Sequence, residues 1–318
     1  MIQLQYLSKN REEINKMETH VDWLGCATFR LKIGELTIFL DTYMDRVPSA
    51  PKVGLTAENV TEANFILIGH SHFDHIAGAE TIALNTGATV IGSTETTNVL
   101  KGAGVDSRKL RIAQGGERYK LNESVSVKVF PSLHSCIWIP KTFDAGTNEP
   151  QTGHLYVTED ERWCCRPPAN FPDSTDPKLI ADIKKHRENT LGSNQIGGAL
   201  CFLIETPEGS IFFQDTSGCW TGIISDIRAD VAILAMAGRP NIDGEPIQGS
   251  LADYIGMMVS MLKPKSVFLG HHDDWMPPTT RDHSSDASLA PIRERISLVR
   301  PGTELVTPGY LDNTSLFV

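Results

Sequence analysis

Short apolar runs broken by Gly, Pro and Asp recur along most of the chain and set the first expectations. Val21-Asp22-Trp23-Leu24 leads into Gly25-Cys26-Ala27. Residues 28–33 then alternate polar and apolar, Gly34-Glu35 turns the chain, and 36–41 is the next apolar run. Strands this closely spaced read as an antiparallel meander. Phe65-Ile66-Leu67-Ile68 is apolar at every position, the pattern of a short strand covered on both faces. Beyond it, helices at 79–85 and 93–100 enclose a strand at 89–91, and Ser93 is placed to cap the second helix. That βαβα alternation predicts a mixed sheet.

Further strands are expected at 118–121 and 125–130, the second running into Pro131-Ser132-Leu133-His134. The rhythm returns with strands at 198–205, 209–216, 231–235 and 267–270, helices at 251–262 and 289–299, and a short strand around 304–306. Residues 1–18 read as an arm with a short helix around 11–17. Residues 42–60 form a loop able to border a pocket. Between the strands at 125–130 and 198–205, residues 140–197 break the pattern: they are rich in Pro, Asp and Gly and carry one amphipathic helix at 178–187. Irregular stretches of that length inside a compact domain are usually functional or disordered. The segment reads as an insertion that caps a site, with Trp138, Phe143, Trp163 and Phe171 as its apolar surface. A surface excursion away from the site is the other reading. The whole of 1–318 is then one domain with a lid.

The chemistry concentrates after the 65–68 run, in His70-Ser71-His72-Phe73-Asp74-His75. Three of the ten histidines fall in six positions, and imidazole is the commonest metal-binding side chain. In extended backbone, residues i and i+2 point the same way, so His70 and His72 can grip one ion. Asp74 and His75 reach toward a second. His134, Asp215 and His271 each follow an apolar strand as well. If those strands share one edge, His70, His72 and His134 serve one ion, Asp74, His75 and His271 the other, and Asp215 bridges them. Nitrogen and carboxylate donors suit two divalent ions, zinc first, with manganese or iron as the other candidates. Asp41 closes a strand too. It is either an ordinary turn residue or a carboxylate that orients a metal-binding histidine.

Composition narrows the partners. The chain has 318 residues, 40% of them hydrophobic, and a formal charge of −10. That field repels a phosphate backbone, so nucleic acid is not an expected partner. The densest basic run, Lys184-Lys185-His186-Arg187, reads as the solvated face of a helix. No apolar stretch approaches the roughly 20 residues needed to span a bilayer, and no secretory signal is evident. The six cysteines are scattered, which fits a cytoplasmic protein with reduced thiols. Cys164-Cys165 lacks metal or redox spacing. A small-molecule substrate is expected, and a homo-oligomer is compatible with the sequence.

His70-x-His72-x-Asp74-His75, followed by His134, Asp215-Thr216 and His271, resembles the metallo-β-lactamase superfamily. The resemblance implies an αβ/βα sandwich of two mixed sheets flanked by helices, with two metals at one sheet edge. It also implies a hydrolase that uses a metal-bound hydroxide, with Asp74 as the catalytic group that orients the water or carries a proton. Trp23-Leu24-Gly25-Cys26-Ala27-Thr28 resembles the Trp-Leu-Gly-His-Ala-Thr opening of the N-acylphosphatidylethanolamine phospholipase D-like hydrolases. The Gly-Cys pair, with His271-His272-Asp273-Asp274-Trp275, is similar to the related ascorbate-6-phosphate lactonases. That makes His271 the ligand and His272 pocket lining, while Cys26 reads as a buried small residue rather than a nucleophile. The expected substrate is a lactone, ester, amide or phosphodiester, a lactone first. A di-iron redox protein and a non-catalytic binding protein on the same scaffold are the alternatives. His72 stands where the redox members usually carry an acid.

Overall fold

The computed structural model describes residues 18–139, 155–164 and 171–317. The expected N-terminal helix and Phe143 lie outside these residues, as does the side chain of Trp163.

Two seven-stranded sheets stack face to face. In the first, Thr314–Ser315 pairs antiparallel with Thr19–Trp23, which with Phe29–Ile33 and Leu36–Leu40 forms the expected antiparallel meander. Phe65–Leu67, Thr89–Gly92 and Leu110–Ile112 then add in parallel. The second sheet runs Glu304–Val306, Ser266–Gly270, Val231–Ala235, Ser210–Gln214, Leu200–Glu205, Ser126–Pro131 and Arg118–Lys120. Its first four strands are parallel and its last four antiparallel. Both sheets are therefore mixed.

Period-2 alternation decides which side chains go where. Ile38 and Leu40 face inward, joining Phe29, Leu31, Phe202, Ile204, Phe213 and Ile233 in the core between the sheets. Phe39, Ile66, Ile68 and Val90 face outward, onto the helices Ala79–Thr86 and Thr94–Gly102. On the far side Phe212, Leu234 and Leu269 meet Leu251–Leu262 and Asp286–Val299. The layers are helix, sheet, sheet, helix, which is the αβ/βα sandwich. Leu36–Leu40, Phe65–Leu67 and Thr89–Gly92 of the first sheet are largely buried on both faces because each face meets a packed layer. Ser93 caps its helix by accepting the Thr96 N–H, and Ser250 forms a reciprocal capping box with Asp253.

Several elements exceed the sequence expectation. Leu110–Ile112 is an exposed edge strand with no apolar run. Gly218–Cys219, Asn241–Ile242 and Glu245–Pro246 form a third, three-stranded sheet of two-residue segments, too short to carry a period. The helix in the irregular region spans Pro177–Asn189. Asp176 caps it, and Pro177 occupies the first turn, where a missing N–H costs nothing. Its basic run is not purely a solvated face: the His186 ring is 3.1 Å from the Tyr43 hydroxyl, and the Arg187 guanidinium lies over the Phe73 ring. Among the described residues, no helix is long and apolar enough to cross a membrane.

Candidate metal centre

Five strands leave the two sheets at one edge, each followed by a chemically active residue. Leu36–Leu40 delivers Asp41, Phe65–Leu67 delivers His70, Ser126–Pro131 delivers His134, Ser210–Gln214 delivers Asp215, and Ser266–Gly270 delivers His271. Asp41 and His271 adopt positive φ, +51° and +63°, which turns each chain sharply as it leaves its strand. His72, Asp74 and His75 arrive on the short helix Phe73–Ile76, whose first turn begins immediately after His72.

The ring orientations are set from behind. His70 Nδ1 donates to Asp215 Oδ2 at 2.6 Å, and His75 Nδ1 donates to Asp41 Oδ2 at 2.7 Å. His134 Nδ1 donates to the Ser135 carbonyl at 2.8 Å. In each case Nε2 is left carrying a lone pair, the arrangement a metal-binding histidine needs. Asp41 also accepts the Gly69 N–H at 2.9 Å, so one buried carboxylate fixes both the backbone before the motif and the ring at its end. The choice left open between a turn residue and an orienting carboxylate thus resolves structurally in favour of the second.

Two groups of donors emerge. His70, His72 and His134 form one, with His70 Nε2 and His72 Nδ1 3.2 Å apart. In the other, Asp74 Oδ2 lies 3.4 Å from His271 Nε2 and 3.5 Å from His75 Nε2. Bonds of about 2.0–2.2 Å from one zinc, at tetrahedral angles, put neighbouring ligand atoms about 3.3–3.6 Å apart. The two Asp74 spacings fall in that range, and the His70–His72 spacing of 3.2 Å lies just below it. Asp215 lies beside both groups, its Oδ2 also 3.4 Å from His75 Nδ1. Its Oδ1 is buried and has no hydrogen-bond partner among the described residues. An uncompensated buried carboxylate oxygen is expensive, and a cation is one thing that compensates it. The donor set therefore fits a pair of divalent ions.

Electrostatics agree. Burial pushes His70 and His75 well below the usual imidazole range. Burial, aided by His72, brings His134 down to about 4. These rings are neutral near pH 7, as metal binding requires. Burial alone would raise Asp74, but His75 and His271 beside it hold it well below the ordinary carboxylate range. Burial together with the charge of Asp215 pushes Asp41 up, and burial likewise raises Asp215.

All seven expected ligands thus meet at one edge. Sequence reasoning missed what surrounds them. Cys26 lies with Asp74 and His271, the ligand atoms of the three within 4.8 Å of one another. Trp275 packs edge-on against His271. His272, placed as lining, stacks on Trp23 at 4.5 Å beside a cavity of about 400 Å³. Residues 192–197 run alongside the motif: Ser71 donates its N–H to Ile196, and Ser193 donates its N–H to Ser71. The Pro177–Asn189 helix packs Ile183 against Val47 and Ala50 with Phe171, and a cavity of about 540 Å³ opens beneath it, lined by Arg46, Gly78 and His186. None of these contacts has a signal in local sequence.

A family model described as a beta-lactamase superfamily domain matches residues 37–162. A UPF0173 metal-dependent hydrolase of Pyrobaculum islandicum is 30% identical over 115 residues, which is 36% of this chain and 50% of that protein. The chain thus matches about half the length of that relative. Among solved structures, Igni18, a metallo hydrolase from the archaeon Ignicoccus hospitalis, superposes with a TM-score of 0.55 at 14% identity, covering 92% of this chain and 96% of that one. CmlA, a diiron β-hydroxylase from Streptomyces venezuelae, gives 0.53 at 15% identity, covering 95% and 54%. At these identities the structural likeness is one of fold.

Proposed function

We propose that this chain is a metallo-β-lactamase superfamily member that acts as a metal-dependent hydrolase of a small-molecule ester-like bond, with a lactone as the preferred substrate. The observation that carries the reading is the Asp74 carboxylate, 3.4 and 3.5 Å from two imidazole Nε2 atoms beside a second, all-histidine group. His70, His72 and His134 would hold one divalent ion. Asp74, His75 and His271 would hold the other, and Asp215, which lies beside both groups, would serve the pair. Two such ions bring water toward ionisation at neutral pH and polarise a carbonyl or phosphoryl oxygen.

The protein's own groups do the rest. Asp41, Asp215 and the Ser135 carbonyl hold the rings in register, so no reorganisation is needed during reaction. Asp74 is ionised and has a 13% exposed side chain, so it reaches the open side of the centre. There its carboxylate orients the attacking water, accepts its proton, and returns that proton to the leaving oxygen. His70, Asp41 and Asp215 are sealed from solvent, and the partly exposed groups are His72, Asp74, His134 and His271. The preference for a lactone rests on the resemblance of Gly25-Cys26 and of His271-His272-Asp273-Asp274-Trp275 to the lactonases.

The test is turnover of a panel of lactones, esters, amides and phosphodiesters by the metal-loaded chain. Asp74→Asn should lower kcat about 10²–10⁴-fold with an unchanged circular dichroism spectrum. An inert panel with ions bound, or Asp74→Asn at the wild-type rate, would sink the assignment.

A further inference from the structure

The turn between Thr19–Trp23 and Phe29–Ile33 is held more tightly than a hairpin turn requires. Cys26 adopts φ +46°, a left-handed conformation that a residue with a Cβ rarely takes. Several bonds fix it there. Its N–H donates to Asp273 at 3.0 Å, and its carbonyl accepts the His271 N–H at 2.6 Å and the Trp23 indole N–H at 3.1 Å. Asp273 is itself fixed by the buried Arg46 guanidinium and the Tyr310 hydroxyl, each at 2.7 Å. The turn is thereby bolted to the strand end that carries His271. Arg46 also explains Gly25, where a Cβ would fall 1.1 Å from the guanidinium.

This clamp directs the Cys26 side chain at the centre. Its Sγ is 3.5 Å from the Asp74 carbonyl, and it lies within 4.8 Å of the ligand atoms of Asp74 and His271. The residue is fully buried. Independently, the buried and unpartnered Oδ1 of Asp215 marks the same centre as one that takes a cation.

We propose that Cys26 is a ligand of the second ion, its thiolate joining Asp74, His75 and His271. The proposal rests on the two-ion reading above and deepens it by naming the metal class. A thiolate selects zinc, iron or cobalt over manganese and magnesium, which prefer oxygen. On loading, the S–H bond breaks, an S–metal bond forms, and the proton leaves to solvent; a coordinating thiol is deprotonated outright.

The test is cobalt(II) titration of the full, metal-stripped chain, read by absorbance and by metal analysis. The wild type should take up about two ions and develop an intense near-ultraviolet thiolate-to-cobalt charge-transfer band as one of the two sites fills. Cys26→Ser and Cys26→Ala should lose that band while keeping the weak visible cobalt bands. Cys201→Ser, on the outer face of its sheet, should keep it. The wild-type spectrum needs no variant to fold. Two cobalt ions bound without the band would overturn Cys26 ligation and leave the two-ion centre standing. A band that survives in both Cys26 variants would overturn it too. A wild type that binds no cobalt would overturn both readings together.

Discussion

Asp41→Asn isolates how the centre is oriented. The substitution keeps size and shape, and asparagine tolerates the φ of +51° found there. Two donors face the carboxylate: Gly69 N–H at 2.9 Å and His75 Nδ1–H at 2.7 Å. An asparagine has one acceptor oxygen and can serve only one of them. If the oxygen stays with Gly69, the amide NH₂ faces His75 Nδ1. The ring must then move its proton to Nε2, the atom that faces Asp74. The second group loses a lone pair, while His70, His72 and His134 are untouched. A buried, charge-assisted hydrogen bond is worth about 1.5–3 kcal/mol. At about 1.4 kcal/mol per factor of ten, that is roughly 10–100-fold in affinity, the same range found when such orienting partners are removed elsewhere. Competition against a chromophoric chelator resolves the two sites. One site should loosen by that factor and the other should not change. Wild-type affinity at both sites in Asp41→Asn would refute the orienting role.

Further outcomes follow from the same geometry. A Cβ on residue 69 would lie 2.1 Å from the Asp215 carboxylate, so Gly69→Ala should lower stability by about 1–3 kcal/mol in urea melts and reduce metal uptake. Full metal content in that variant would show that Asp215 is not needed as placed. His272 is 4% exposed, and burial brings its pKa down to about 4. Above about pH 6.5 the ring is neutral whether folded or unfolded and contributes nothing. Below that, only the unfolded chain takes the proton, so stability falls until about pH 4. The gap is worth about 3 kcal/mol. Urea melts of the metal-free chain across that window should slope accordingly, and His272→Phe should flatten the slope; equal slopes would contradict the assignment.

How much of this could be read in the sequence follows from the range of each interaction. The central strands of both sheets were legible because two packed faces force apolar runs such as Phe65-Ile66-Leu67-Ile68. The helix Leu251–Leu262 was legible because its capping box and its apolar stripe agree. The seven candidate ligands were legible because four follow strand ends that the fold brings together, and His72, Asp74 and His75 lie within five residues of one of them, His70. Leu110–Ile112 was not, since an exposed edge strand has no core to imprint a period. Nor were the two-residue strands near Asn241, which hold only by tertiary pairing. Cys26 looked like filler because its proximity to His271 depends on a clamp through Asp273, Arg46 and Tyr310, residues far apart in the chain. The positive φ values at Cys26, Asp41 and His271 also leave no compositional trace, since none of the three is glycine. The 140–197 segment was legible as irregular, but the pairing of Ser71 with Ile196 and Ser193 has no local signature.

The most direct test of the central claim is metal analysis of the purified chain beside His72→Ala. His72 belongs to the all-histidine group and has no role in the core. The wild type should carry about two zinc ions per chain, and the variant should lose part of that metal together with hydrolysis of the lactone and ester panel. No metal in either protein after reconstitution would contradict it. About two irons with visible colour and no hydrolysis would contradict the hydrolase while leaving the metal centre in place.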